Sequence, residues 1–209
     1  MSKKYVLIQA RTNSQRLFGK CLLSIKKQES ILLLCDRLKS SEYETFVLTS
    51  DHVHDNYLVK LLKKNKIKYF RGSLKNVRER FLKFSENFNQ NDILVRCTAD
   101  NLLLDKFFIK KLINEFQKSK KNYLTVNREK SMLPYGLGAE VFTVATLKKY
   151  KAKNKFDQEH VTPPMKRGKS VKKLIIKNKY NLFKYRCTMD TLFDYFFFKY
   201  LFEKLKNSK

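Results

Sequence analysis

Two short stretches of the sequence, RCTAD at 96–100 and RCTMD at 186–190, each end in an isolated aspartate. Their flanks differ, which argues against a duplicated domain. If each stretch is a strand, alternation places its arginine, threonine and aspartate on one face and its cysteine on the other. Two such strand ends that converge would bring Asp100 and Asp190 together, and paired carboxylates suit Mg²⁺, which prefers oxygen ligands. The repeat therefore predicts a two-aspartate site, with the arginine of each stretch pointing into it.

The densest group of polar side chains lies in ARTNSQRLFGK, at 10–20, directly after the first apolar run. It contains Arg11, Arg16 and Lys20 as well as hydroxyl groups. Cations and backbone amides on a turn after a strand can bind a triphosphate. The loop is not a Walker A motif, because only Gly19 and Lys20 match that pattern and a cysteine follows. From the pattern alone, a triphosphate loop and a basic surface turn both stay open.

The histidines give no complete metal or catalytic pattern. His52 and His54 lie in DHVHD with no cysteine or third histidine nearby, so we interpret them as residues of an exposed loop. His160 precedes VTPP and could orient a substrate, act as a base or stabilise an interface. A Ser-His-Asp triad is not expected, because the sequence has no G-x-S-x-G elbow.

The composition is that of one globular domain in a reducing compartment. The chain has 209 residues and 43% hydrophobic residues, enough for one domain with a core. Its first apolar run, Tyr5–Ile8, is too short for a signal peptide or a membrane span. The four cysteines are widely spaced, as free thiols are. We therefore expect a cytoplasmic protein that does not insert into membranes.

The net charge of +27 raises the hypothesis of nucleic-acid binding. However, the lysines are spread along the whole chain instead of forming one block. Such a pattern is more typical of a solvated lysine surface than of a nucleic-acid groove. We do not expect a nucleic-acid partner, although a positive field would attract a small polyanion such as a nucleoside triphosphate.

The order of apolar runs predicts an α/β fold with a mostly parallel mixed sheet flanked by helices, because strands alternate with helices. Ligands in such sheets bind beyond the carboxyl ends of the strands, where both RCTxD stretches would end. The predicted strands are Tyr5–Ala10, Thr45–Thr49, Ile67–Phe70, Ile93–Thr98, Tyr123–Val126, Ala139–Phe142, Val171–Ile176 and Leu182–Cys187. The predicted helices are Ser30–Ser40, Asp55–Asn65, Val77–Phe88, Lys106–Gln117, Thr146–Lys151 and Leu192–Lys206.

The last of these helices has an apolar stripe at helical spacing. We interpret the stripe as core or as a dimer interface, without chemistry of its own. Its members are Phe193, Phe196, Phe197, Tyr200 and Leu201.

The loop at 10–20 resembles the A-R-x-x-S-x-R-L-P-G-K signature of the cytidylyltransferases that make CMP-activated acidic sugars. These are relatives of the CMP-acylneuraminate and CMP-Kdo synthetases, and the branch named after spore-coat polysaccharide biosynthesis is the most similar. The resemblance implies a nucleotide-diphospho-sugar transferase-like (Rossmann-like) fold and a homodimer. It extends over further blocks, in order: TSD at 49–51, FRGSLKNVRERF at 70–81, VRCTADNLLLD at 95–105, YGLGAEVF at 135–142, EHVTP at 159–163 and YRCTMDTLFDY at 185–195.

The resemblance also implies a role for individual residues and a division of the chain. One domain would span 1–209, with roughly 127–170 as a smaller lobe for the acceptor or for dimerisation. Asp100 and Asp190 would bind Mg²⁺ and, together with Arg16 and Lys20, form the catalytic set. Nucleotide-binding residues would be Ala10, Arg11, Ser14, Lys20, Arg71 and Arg96. Acceptor-binding residues would be Glu140, His160 and Arg186.

The sequence departs from the family pattern at several positions, while the charged and metal-binding positions are intact. We interpret the departures as adjustments that leave activity in place. They are Thr12 and Asn13 for Met-Gly, Phe18 for proline, Asn76 for aspartate, Ala99 for glycine and Leu102 for proline.

These observations predict a Mg²⁺-dependent cytidylyltransferase that transfers CMP from CTP to an acidic acceptor, with release of pyrophosphate, for surface polysaccharide synthesis. The acceptor would be a nonulosonate-type or related sugar acid, and smaller phosphorylated or phosphonate compounds stay open. A nucleotide-sugar-dependent glycosyltransferase is one alternative, although it has no triphosphate for the basic loop to bind. A basic nucleic-acid-binding protein without CTP turnover is the other.

Overall fold

The computed structural model describes residues 2–205, and their centre is a seven-stranded sheet in the order β5-β4-β1-β6-β8-β7-β9. Strands β5, β4, β1 and β6 run parallel, while β8 runs antiparallel to both β6 and β7. The predicted mostly parallel mixed sheet is therefore confirmed. The strands of this sheet are β1 (Lys4–Gln9), β4 (Glu44–Ser50), β5 (Tyr69–Gly72), β6 (Ile93–Thr98), β7 (Tyr123–Val126), β8 (Glu140–Thr143) and β9 (Val171–Leu174). A separate small hairpin consists of β2 (Ser24–Ile25) and β3 (Gln28–Glu29).

Helices cover both faces of the sheet, as the α/β prediction requires. Alternation along β1 shows this, because Val6 and Ile8 pack in one apolar cluster while Tyr5 and Leu7 pack in another on the opposite face. The helices are α1 (Ser30–Arg37), α2 (Asn56–Lys64), α3 (Val77–Phe84), α4 (Lys106–Lys118), α5 (Val144–Lys149), α6 (Lys155–His160), α7 (Pro163–Lys166) and α8 (Leu192–Lys204).

The start of α3 explains one departure from the family pattern. Asn76 is the N-cap of this helix, and its side-chain oxygen accepts a hydrogen bond from the backbone nitrogen of Glu79 at 3.0 Å. Asparagine and aspartate cap helices about equally well, since both offer an oxygen to the free amides of the first turn. Replacing the family's aspartate by asparagine therefore preserves the cap.

The segment at 182–187 is not a strand, contrary to the prediction. It makes a single parallel bridge, between Tyr135 and Arg186, and Tyr185 is 64% exposed. The sequence pattern misled because its apolar residues have no neighbouring strand to pack against. The chain is instead held by close backbone packing, since a Cβ at Gly136 would meet the carbonyl oxygen of Cys187 at 2.7 Å.

Helix α8 buries a different face from the one predicted. Phe198 and Phe202 are fully buried, and the guanidinium of Arg37 lies 5.7 Å from the Phe202 ring centroid. Phe193 is 89% exposed and Phe196 is 61% exposed, so most of the predicted stripe is not core, although Leu201 packs against the core. The helix has aromatic residues on all its faces, so helical spacing alone does not show which of them are buried. The dimer-interface interpretation of the stripe stays a prediction. The predicted end of the helix, Lys206, lies outside the described residues.

The range 127–170, predicted as a smaller lobe, contributes directly to the main sheet. Its strand β8 lies between β6 and β7 and pairs with both. The assignment of this range to the acceptor or to dimerisation stays a prediction. Within residues 2–205, no helix is both long and apolar enough to cross a membrane.

Candidate functional site

A cavity of about 710 Å³ opens at the carboxyl ends of β1 and β6. The loop after β1 forms one wall and Thr98–Asn101 forms its floor. The opposite wall comes from the connection between β7 and β8, where the antiparallel β8 begins with Glu140. This is the edge of the sheet at which ligands bind in folds of this class.

The two aspartates of the RCTxD stretches meet in this cavity, as the sequence predicts. The ammonium group of Lys20 lies between them, 2.6 Å from Asp100 Oδ2 and 2.9 Å from Asp190 Oδ1. The backbone nitrogen of Met189 donates to the carbonyl oxygen of Asp100 at 3.0 Å, which ties the two segments together. Arg16 adds a second cation, 2.9 Å from Asp190 Oδ1.

The surrounding charges keep these groups ionised. Burial alone would raise the pKa of Asp190, but hydrogen bonding and attraction from Lys20, with Arg16 and Arg186, outweigh it and lower the pKa. Burial alone would lower the pKa of Lys20, and the two aspartates outweigh it and raise the pKa. Asp190 is therefore a charged carboxylate and Lys20 a charged ammonium at neutral pH.

The threonine of each RCTxD stretch hydrogen-bonds the aspartate two residues later. The hydroxyl of Thr98 donates to Asp100 Oδ1 at 2.5 Å, and that of Thr188 donates to Asp190 Oδ2 at 3.3 Å. In each segment, the threonine of the shared Thr-x-Asp pattern thus orients the carboxylate through a hydrogen bond. The cysteines of both stretches are buried, as predicted.

Arg96 and Arg186 occupy different surroundings, because only Arg96 lies on a strand. Arg186 pairs with Asp190 and lies 3.5 Å from Asp194, which with Thr191 forms the capping box of α8. The cavity wall does not include Arg186. Its predicted contact with the acceptor stays a prediction; its partners in the structure are Asp190, Asp194 and the ring of Tyr135, 5.5 Å from the guanidinium.

The buried Asp55 fixes the basic loop to the end of β4. Its carboxylate accepts hydrogen bonds from Thr12 N at 2.8 Å, Thr12 Oγ1 at 2.7 Å and Thr49 Oγ1 at 3.0 Å, and also from Ser50. Burial would raise the pKa of Asp55, but the hydrogen bonds from Ser50 and Thr12 outweigh it and lower the pKa. Thr12, a departure from the signature, is therefore a structural anchor of the loop. Sequence reasoning missed Asp55, although its place in DHVHD was visible.

Three further predicted nucleotide residues of the loop reach the cavity wall: Ala10, Arg11 and Ser14. Arg11 also lies 3.2 Å from Glu159 Oε1. Arg71 is not part of the wall, since its guanidinium donates to the carbonyl oxygens of Ser50 at 2.9 Å and His52 at 3.0 Å. Its predicted role in nucleotide binding stays a prediction.

Glu140, another carboxylate of the cavity, is held by four side chains. It accepts from Arg96 at 2.7 Å, from Tyr123 at 2.7 Å and from Thr162 at 2.9 Å, and Lys166 lies at 2.7 Å. Burial would raise its pKa, but Arg96 and Lys166 outweigh it and lower the pKa to about 2. Gln9 holds the other side of the Arg96 guanidinium at 2.8 Å. The pair Arg96–Glu140 thus forms a rigid ionic wall.

His160 lies at the rim of the cavity, beside a strained turn. Val161 has φ 67 and ψ −54, and Thr162 N donates to His160 O at 2.7 Å. A β-branched residue rarely adopts the positive φ that Val161 has at the centre of this three-residue turn. Backbone strain of this kind is most common at functional sites. The turn directs the Thr162 hydroxyl onto Glu140. The structure brings His160 to the wall without fixing its role.

Arg128 is a cavity residue that sequence reasoning missed. Its guanidinium lies 3.9 Å from the Phe183 ring centroid and 5.8 Å from that of Tyr135, and it donates to Phe183 O at 2.9 Å. Within residues 2–205, it forms no ion pair with a carboxylate, unlike the other arginines and lysines of the wall. No spacing signal in NREK could have identified it, because its partners are distant in sequence.

The residues present suit a magnesium ion that is shared with a phosphate ligand. In the described part of the chain, no group of three or more His, Cys, Asp or Glu residues could hold a metal by itself. Asp100 and Asp190 nevertheless supply two convergent carboxylates. Mg²⁺ is commonly bound by one or two carboxylates with phosphate oxygens and water, so the pair fits.

Comparison with known proteins gives matches that cover most of the chain. The family model described as Cytidylyltransferase matches residues 5–206. A structure of a cytidylyltransferase from Leptospira borgpetersenii serovar Hardjo-bovis has a TM-score of 0.88 at 28% identity, covering 98% of this chain and 88% of that one. The likeness confirms the nucleotidyltransferase, Rossmann-like fold.

Two relatives by sequence are also similar. The spore coat polysaccharide biosynthesis protein SpsF of Bacillus subtilis is 28% identical over 210 residues, covering 95% of this chain and 85% of SpsF. The uncharacterized protein MJ1063 of Methanocaldococcus jannaschii is 37% identical over 161 residues, covering 75% of this chain. The matched region spans 64% of that archaeal protein's length.

Proposed function

The chain belongs to the cytidylyltransferase family, and on that premise we propose that it transfers CMP from CTP to an acidic sugar acceptor with release of pyrophosphate. The observation that supports this best is the cluster in which Lys20 contacts both Asp100 and Asp190 beside Arg11 and Arg16. Convergent carboxylates and a basic loop are the groups that a metal-bound triphosphate requires.

The reaction needs positioning and charge compensation more than covalent help from the protein. An acceptor oxygen attacks the α-phosphorus of CTP, the bond to the β-phosphate oxygen breaks, and pyrophosphate leaves. Lys20, Arg11 and Arg16 would orient the triphosphate and balance the negative charge that develops on the leaving group. Mg²⁺, when bound by Asp100 and Asp190, would supply further charge neutralisation on the phosphate oxygens.

The far wall of the cavity supports an acidic acceptor. Arg128 has no carboxylate partner within residues 2–205, so it is the cation of this wall that is free to pair with a ligand. An arginine fork matches a carboxylate with two parallel hydrogen bonds. One unpaired cation balances one negative charge, which favours the carboxylate of a sugar acid over a phosphate dianion. Arg96 and Glu140 satisfy each other and would shape the wall between the two substrates.

The alternatives explain fewer of these contacts. A glycosyltransferase consumes a nucleotide sugar, which contains no triphosphate. The cations of the basic loop would then have no triphosphate to bind. A nucleic-acid-binding protein needs a basic surface, whereas the cations of the site surround carboxylates inside a cavity. We further propose that the enzyme works in the cytoplasm as a homodimer. Its similarity to SpsF supports a role in surface polysaccharide synthesis.

A comparison of nucleotides tests the assignment. CTP with Mg²⁺ should raise the thermal unfolding temperature more than ATP, GTP or UTP at equal concentration, because a ligand at a hundred times its Kd adds about 2.7 kcal/mol. A panel of sugar acids, phosphate esters and phosphonates should then be incubated with CTP, with pyrophosphate release and the mass of the CMP product as readouts. Equal shifts for all four nucleotides would remove the cytidylyl assignment, and a product only with phosphate esters would remove the sugar acid.

A further inference from the structure

Lys20 occupies the space between the two aspartates that would bind the metal. Its ammonium is within hydrogen-bond distance of one oxygen of each carboxylate, at 2.6 Å and 2.9 Å, and its side chain is only 14% exposed. Arg16 and Arg186 also form ion pairs with Asp190, so cations of the protein already balance the negative charge of the two aspartates. Each of the two carboxylates is therefore paired with at least one cation of the protein itself.

We infer that Lys20 is an internal counter-ion that competes with the divalent cation for Asp100 and Asp190, so that metal and nucleotide must bind together. This inference rests on the proposed function and concerns the order of events at the same site. In the nucleotide-free protein, the ammonium holds both carboxylates and weakens metal binding. A bound triphosphate offers Lys20 new oxygens, and the aspartates are released to the metal.

An ammonium and a divalent ion cannot share these oxygens at close range. Mg²⁺ binds oxygen at about 2.1 Å, so it would lie within a few ångströms of the ammonium and be strongly repelled by it. Each of the two cations therefore weakens the binding of the other to these carboxylates. The lysine stem is long and flexible, which allows the ammonium to reach a phosphate without a change of fold.

The backbone of Lys20 is fixed, so that any movement is confined to its side chain. Residues Lys20–Leu22 form a 3₁₀ turn, and Lys20 O accepts a hydrogen bond from Ser30 Oγ at 2.9 Å. Gly19, with φ 65, sets the entry to this turn. The loop can therefore keep its shape while the ammonium exchanges one set of oxygens for another.

The coupling is reciprocal by thermodynamic necessity. If CTP raises the affinity for the metal by drawing Lys20 away, the metal raises the affinity for CTP by the same factor. Removing the ammonium should eliminate much of this coupling, because the aspartates would then be open to the metal at all times.

Manganese binding to the nucleotide-free protein tests the inference directly. Free Mn²⁺ is measured by electron paramagnetic resonance in titrations of the wild type, Lys20→Met and Lys20→Gln. Both variants should bind Mn²⁺ at least about tenfold more tightly than the wild type. The matched control is Lys166→Met, which removes the same charge from the same cavity, 2.7 Å from Glu140, without touching the aspartates.

Addition of CTP completes the experiment. CTP should raise the Mn²⁺ affinity of the wild type strongly and that of Lys20→Met by a much smaller factor. Equal Mn²⁺ affinities of Lys20→Met and Lys166→Met, or no gain in either Lys20 variant, would overturn the inference. The nucleotide-free titration does not depend on catalysis, so loss of the cytidylyltransferase assignment and loss of the counter-ion role are separate results.

Discussion

Glu140→Gln tests whether the ionic wall of the cavity stabilises the fold through its charge. The substitution keeps the shape of the side chain but leaves Arg96 and Lys166, both 2.7 Å from the carboxylate, without their anion. Arg96 and Glu140 have side chains only 13% and 10% exposed, so water screens this loss poorly. We therefore expect a stability loss well above that of a surface ion pair.

The magnitude follows from the pKa of Glu140, which falls from an ordinary value of 4.5 to about 2. A tenfold change in proton affinity is worth about 1.4 kcal/mol, so the ionised carboxylate contributes about 3 kcal/mol at pH 7. A carboxyl group whose pKa is lowered on folding contributes stability that is complete above its unfolded value. That stability is lost as the pH falls through the folded value, and about 2 kcal/mol of it should be gone at pH 3.

Urea unfolding of the wild type and Glu140→Gln, from pH 7 to pH 3, measures this contribution. The gap in unfolding free energy should be about 3 kcal/mol at pH 7 and should narrow to about 1 kcal/mol at pH 3. Glu159→Gln is the control, since it breaks a half-exposed pair with Arg11 and should cost less than about 1 kcal/mol. A gap that stays constant with pH, or one below about 1 kcal/mol at pH 7, would refute the electrostatic reasoning.

Further substitutions separate the parts of the site. Asp100→Asn and Asp190→Asn should each lower kcat/KM by about 10²-fold or more in a pyrophosphate-release assay, and the double variant should be scarcely worse than the poorer single one. Losses that multiply would contradict a shared ion. Arg128→Gln should raise KM for the sugar acid and leave the CTP-induced thermal shift unchanged; a reduced CTP shift would place Arg128 at the nucleotide instead. Phe198→Ala should cost about 3–5 kcal/mol in urea unfolding, whereas Phe196→Ser should cost less than about 0.5 kcal/mol. Sedimentation velocity of Phe196→Ser then tests whether the apolar stripe of α8 forms the dimer interface. The variant should dimerise less than the wild type, and an unchanged dimer would show that this stripe is not the interface.

The sequence predicts well those parts of the fold whose pattern can be recognised within one short segment. β1 and β6 are apolar runs that end at polar residues, and their side chains fill the clusters on both faces of the sheet. The convergence of Asp100 and Asp190 was predicted from the recurring Thr-x-Asp pattern, although only Asp100 follows a strand.

The parts that the sequence did not predict depend on partners far along the chain. The segment at 182–187 has an apolar pattern but no neighbouring strand, so its pattern misled. Helix α8 offers aromatic residues on every side, and only tertiary packing selects Phe198 and Phe202. Arg128 and Asp55 have no recognisable spacing, because their roles arise from contacts with Phe183 and with the loop at 10–20.

The antiparallel direction of β8 places the connection between β7 and β8 at the cavity. β7 ends at the rim and β8 starts there with Glu140, so the connection at 127–139 leaves the sheet and returns at the same edge. Because the carbonyl oxygen of Tyr135 in this connection accepts a hydrogen bond from the backbone nitrogen of Cys187 at 2.6 Å, a change of length there would reshape one wall and also move the segment that leads to Asp190. One connection therefore couples the shape of this wall to the position of Asp190.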